Sequence, residues 1–186
     1  MRSILIRTLF VSLALSFASG AYPGWDPRKP DPEIGIAAHT EEAHMAINAF
    51  LREDPSMKVF LEKAYGFVIF PSIGKGGLGI GGAYGKGEVY EQSEFLGTAK
   101  LKQVTIGFQL GGQKYSEIIF FKNKKALDDF VDGNFEFSAQ ASAVAVTAGA
   151  SADAAYDNDV AVFTMTLGGL MYEASIGGQK FSFKAK

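Results

Sequence analysis

The densest collection of residues able to do chemistry lies between Pro71 and Tyr90. PSIGKGGLGIGGAYGKGEVY holds eight glycines and two lysines. Glycine at that density brings backbone close to something: a phosphate, a lipid head group or a neighbouring strand. Gly77, Gly79 and Gly82 match the spacing G-x-G-x-x-G. That fingerprint needs a helix opening at its last glycine so that the helix N-terminus faces a pyrophosphate. Here the chain continues AYGKGEVYE, which reads as strand. Neither Lys75 nor Lys86 is followed by Ser or Thr, as a P-loop requires, and the kinase signatures HRD and DFG are absent. Nucleotide binding is rejected. What remains is a glycine-rich hairpin with Lys75 and Lys86 on its rim, where unpaired lysines belong in water.

Catalytic and metal-binding material is sparse. The only histidines, His39 and His44, stand five apart in HTEEAH, whereas zinc on one helix takes histidines at i and i+4. With no cysteine and no further histidine, Ser-His and Cys-His nucleophile pairs lack components. Asp128, Asp129, Asp132, Asp153, Asp157 and Asp159 cluster near turns and read as solvated. The last three lack the glycine and terminal glutamate of an EF-hand loop. The reading is non-enzymatic, with no cofactor and no metal.

Met1 to Ala21 reads as a secretory signal peptide, with Arg2 and Arg7, an apolar core from Leu9 to Phe17, and a small-residue cleavage point after Gly20 or Ala21. The apolar run is short for a spanning helix. About 165 residues then remain, enough for one domain with a sizeable core. They carry 16 basic against 20 acidic residues, which argues against a nucleic-acid partner. Residues 22–31 form a proline-rich extended leader in which Trp25, Arg28 and Lys29 resemble an interfacial anchor; a domain follows over 32–186.

Asp31-Pro32 and Asp54-Pro55 each read as a helix start, Asp as cap and Pro in the first turn. The first helix runs through Ile36, Thr40, Ala43, Ile47, Phe50 and Leu51; the second carries Met57, Phe60 and Leu61 and stops at Gly66. From Phe67 the period becomes two. Strands are expected at Phe67–Phe70, ended by Pro71, then at Leu78–Tyr84, Glu88–Glu91, Lys102–Leu110 and Lys114–Phe121, with Gly111-Gly112 as a hairpin corner. Asn123 caps a short helix that ends before Gly133. Phe135, Phe137, Ala139, Ala141, Ala143 and Ala145 share a face on which a helix or sheet should press. A three-stranded meander closes the chain, with Gly168-Gly169 and Gly177-Gly178 at its corners. GGQKYS at Gly111–Ser116 recurs as GGQKFS at Gly177–Ser182, read as similar corners. The fold class is α+β: a strongly curved, mostly antiparallel sheet or partly closed barrel with N-terminal helices packed on its alanine-lined face.

Ala64-Tyr65-Gly66-Phe67-Val68-Ile69-Phe70-Pro71-Ser72-Ile73, Lys75-Gly76-Gly77, Gly79-Ile80-Gly81-Gly82 and Gly85-Lys86-Gly87 together resemble the SYLF, or Ysc84, domain. Gly107-Phe108-Gln109-Leu110-Gly111-Gly112-Gln113, Ala126-Leu127-x-x-Phe130, Gly169-Leu170-Met171 and Gly177-Gly178-Gln179 extend the resemblance across roughly Thr40 to Phe183. It implies a lipid-binding module. Eukaryotic members bind phosphoinositides and some bind actin, neither of which carries over readily to an exported chain; association with anionic phospholipid does. The expected lipid-binding residues are Lys75, Lys86, Lys114 and Lys180, helped by N–H groups at the glycine corners, whereas Lys122, Lys124 and Lys125 read as helix surface. The chain is expected to be exported, periplasmic or secreted, and peripherally associated with a membrane. The alternative is an envelope protein acting by self-association or through a protein partner, with no lipid role.

Overall fold

A computed structural model describes residues 38–133, 135, 137, 143–168 and 176–186. Residues 1–31, read from the sequence as a signal peptide and an extended leader, lie outside them. The order of elements is α1 (Glu41–Glu53), a 3-10 turn (Pro55–Met57), α2 (Lys58–Lys63), β1 (Gly66–Glu91), β2 (Glu94–Phe121), α3 (Lys124–Val131), β3 (Val144–Ala145), β4 (Val160–Gly168) and β5 (Gln179–Ala185).

Local chemistry sets the helix boundaries. Helix α1 begins at Thr40, whose side chain accepts from Ala43 N, with Glu41 and Glu42 in the first turn where the helix dipole favours acids. The helix start expected at Asp31-Pro32 falls outside the described residues, and residues 38–40 are not helical. Asp54-Pro55 does open a turn, with the Asp54 carboxylate accepting from Ser56 N at 3.0 Å. Asn123 caps α3 through Ala126 N, and Gly133 follows at φ +75°. Helix α2 stops at Lys63, short of the expected Gly66. Gly66 instead opens β1, where the absence of a Cβ leaves room for Tyr90 O, which a Cβ would meet at 2.6 Å.

The strands depart most from expectation. Pro71 and the glycine-rich run lie inside one 26-residue strand, paired antiparallel to the 28-residue β2. Gly111-Gly112 is no corner: it sits mid-strand, opposite Gly76 and Gly77. The corner is Gln92-Ser93, both at positive φ (47° and 71°), the conformation that a tight two-residue hairpin demands. Only the second of the two GGQK segments turns the chain, with Gly178 at φ +73°.

A straight ribbon of that length would span roughly 85 Å. This one folds over instead. A Cβ on Gly87 would lie 2.6 Å from Ile69 O and 2.7 Å from Phe70 Cδ1, so the far arm of β1 packs directly on its near arm. Register shifts at Phe70/Ile73 and Leu78/Ile80 flank the bend, as bulges do where strands turn. Strand β4 pairs with the C-terminal part of β2, and β5 with its N-terminal part. Strand β3 runs parallel to β4. Among the described residues the five strands therefore form a curved, mainly antiparallel sheet that does not close on itself.

Two cores result. Helices α1 and α2 cover Phe67, Ile69, Ile118, Phe120 and Phe163. Between the arms, and under α3, lie Val68, Phe70, Ile73, Val89, Leu101, Ile119 and Phe121. The face beneath the N-terminal helices is thus aromatic and β-branched, not alanine-lined. Ala139 and Ala141 lie outside the described residues, Ala143 packs in the second core and Ala145 is exposed.

Candidate functional site

Alternation along β1, β2 and β5 divides their side chains between two faces. Ala83, Ala99, Leu101 and Gln103 point inward and are buried. Lys86, Lys100, Lys102, Lys180 and Lys184 are exposed. The register places them in rows across three strands. Lys86 faces Lys100, which faces Ser182; Tyr84 faces Lys102, which faces Lys180. Like charges directly opposite one another in a sheet repel. Among the described residues none of these five lysines makes an ion pair, whereas Lys122, Lys124 and Lys125 are each matched to an aspartate, at 3.7, 2.6 and 2.6 Å. At one end the basic rows meet exposed apolar groups: Ile80 is 71% exposed, Val104 75% and Tyr84 45%.

The four expected lysines are divided by the fold. Lys86 and Lys180 join this face. Lys75 and Lys114 instead line a cavity of about 520 Å³ with Gly74, Gly112 and Gln113, beside the bend. Lys75 is cross-strand from Gln113 and follows the inward-facing Ile73, and desolvation pulls its amine below the ordinary lysine value. Lys100, Lys102 and Lys184 were not foreseen. The alternating segment TAKLKQV, Thr98 to Val104, carried the signal, since Ala99, Leu101 and Gln103 take one face and both lysines the other.

Three acids are buried among the described residues, each with its own partners. Asp54 caps the 3-10 turn: burial opposes its ionisation, but hydrogen bonds from Ser56 and Ser151 outweigh that and hold it down at about 2. Glu88 accepts from the Tyr90 hydroxyl. Glu117 is fully buried between the arms; it accepts from Gln179 Nε2 at 3.0 Å, and its other carboxylate oxygen has no hydrogen-bond partner among the described residues. Desolvation pushes Glu117 up to about 7, against the opposing pull of the Gln179 amide. His39 stacks on Phe95 with ring centroids 4.0 Å apart, and His44 contacts Asn48. Among the described residues no three metal-ligating side chains converge, and no helix is long and apolar enough to cross a membrane.

Residues 102–186 match the family described as "Ysc84: Las17-binding protein actin regulator". That segment, a little under half of the chain, is similar to a Ysc84 (SYLF) domain. It holds most of β2 together with α3 and β3–β5, and so includes Lys102, Lys114, Lys180 and Lys184. The chain is also similar to Beta cell expansion factor A of Aeromonas veronii, at 30% identity over 154 residues, 82% of this chain and 58% of that protein. It therefore spans little more than half the length of that relative.

Proposed function

We propose that this chain is an exported, non-enzymatic module that binds phospholipid membranes peripherally through anionic head groups. One observation carries the reading: among the described residues, five exposed lysines on β1, β2 and β5 lack counter-ions and adjoin the exposed side chains of Ile80, Tyr84 and Val104. Uncompensated like charges in cross-strand rows favour an external anion. Adjacent apolar side chains favour a lipid surface over a soluble polyanion, because they can enter the head-group boundary. Each lysine near an anionic surface contributes about 1 kcal/mol, so the rows act together. Lys75 and Lys114, at the glycine-lined cavity, supply two more cations.

The test is co-sedimentation with phosphatidylglycerol vesicles, phosphatidylcholine vesicles serving as the control, at low and high salt. Selective pelleting that weakens with salt is expected. The double variant Lys100→Glu, Lys102→Glu should weaken binding by more than the roughly thirtyfold that removing two lysines costs, while Lys125→Glu should bind as wild type. Failure to pellet with anionic vesicles at low salt would refute the lipid role. It would favour the alternative, an envelope protein acting by self-association or through a protein partner.

A further inference from the structure

A second cavity, of about 360 Å³, lies between α2 and the 147–156 segment, lined by Ser56, Val59, Phe60, Lys63, Ser151, Ala152, Ala154 and Tyr156. Its size falls at the small end of ligand sites and its walls are largely apolar. The Phe60 ring sets one wall, with the Tyr156 ring 5.4 Å away, centroid to centroid. The serines close off the polar end. The Asp54 carboxylate accepts from Ser56 Oγ, from Gly149 N at 3.2 Å and from Ser151 N at 2.7 Å, and Ser151 Oγ lies 2.7 Å from Ser56 Oγ. Both hydroxyl protons are therefore committed within this cluster, around a carboxylate that would repel an acid placed there. Two other lining residues carry donors. Lys63 and Tyr156 make no hydrogen bond or ion pair among the described residues, and burial keeps the Tyr156 hydroxyl protonated.

We infer that this cavity binds an apolar-bodied monocarboxylate, its tail against Phe60, Ala152 and Ala154 and its carboxylate at Lys63. Charge complementarity selects the occupant: an apolar pocket with one unpaired cation at its lining, and an ionised acid held behind it, accepts an anion at one end only. The cavity volume suits a medium-chain acid.

The experiment uses the full chain with ¹³C-labelled methyl groups, titrated separately with decanoate, decanol and decyltrimethylammonium. Decanoate should shift the Val59, Ala152 and Ala154 methyls saturably, more tightly than either comparator. Lys63→Met should weaken decanoate about fivefold and leave decanol unchanged. Ala154→Phe, which fills the cavity, should abolish all three responses in a chain whose remaining methyl spectrum is native. Equal affinity for decanoate and decanol, retention of decanoate affinity by Lys63→Met, or shifts at Ile80 and Val104 in place of Val59 would each overturn the assignment. The last outcome would move the ligand to the lysine face. Vesicle pelleting is read separately, so loss of either site leaves the other standing.

Discussion

Replacing Glu117 by Gln should make the protein more stable at pH 8 and nearly indifferent at pH 5. The carboxyl sits between the two arms of the folded ribbon with a single hydrogen-bond donor among the described residues, Gln179 Nε2. Burial moves it from 4.5 to about 7. Between those values the folded chain holds a proton that the unfolded chain has released. Stability therefore falls as pH rises from 4.5 to about 7 and is level above that. The shift corresponds to roughly 3 kcal/mol. An amide at position 117 keeps the acceptor for Gln179 and never ionises. At pH 8 it should regain most of that amount, or roughly 6–12 °C in Tm for a domain of this size.

The assay is urea unfolding of wild type and Glu117→Gln at pH 5, 6, 7 and 8, followed by far-UV circular dichroism, with the slope of each transition checked for constancy. The two stability curves should converge at pH 5 and separate progressively to pH 8. Parallel curves, or a variant less stable than wild type at pH 8, would refute the assignment of Glu117 as a carboxyl forced toward neutrality by burial.

Two further perturbations test the fold. Gly87→Ala puts a methyl group 2.6 Å from Ile69 O and 2.7 Å from Phe70 Cδ1; it should cost about 1–3 kcal/mol, read as a lower urea midpoint at unchanged slope. The double change Gln92→Asn, Ser93→Gly supplies residues that adopt positive φ readily and should stabilise by about 0.5–1 kcal/mol. A fall in thermal midpoint on the latter change would show that the native corner depends on its side chains.

The fold was legible in the sequence wherever a short local rule decides. Asp54-Pro55 and Asn123 are capping residues whose partners stand within a few positions, and both open the expected elements. Glycine was harder to read. As turn material, Gly111-Gly112 and the run from Gly74 to Gly87 break the hairpin into short strands. In the molecule they sit inside two long strands, and Gly87 is needed for contact with Ile69, a tertiary fact that no local window contains. The true corner was hidden because Gln92 and Ser93 are not residues that usually take positive φ. Likewise the charge within YSEIIFF is visible, but its burial depends on Gln179, 62 residues further on.

The lysine rows add a conflict between stability and function that a single substitution exposes. Lys100 stands between Lys86 and Ser182, so its charge is opposed across the sheet and unrelieved by any acid among the described residues. Lys100→Glu turns the repulsion with Lys86 into attraction and should stabilise the fold by about 0.5 kcal/mol. The same change should weaken binding to anionic vesicles by more than the roughly fivefold that removing one lysine costs. A lysine that merely solvates the sheet would give the first result without the second. A lysine needed for packing would lose stability instead. Only a residue retained for an external anion gives a tighter fold together with weaker binding, so unfolding and pelleting measured on this one variant discriminate the three roles.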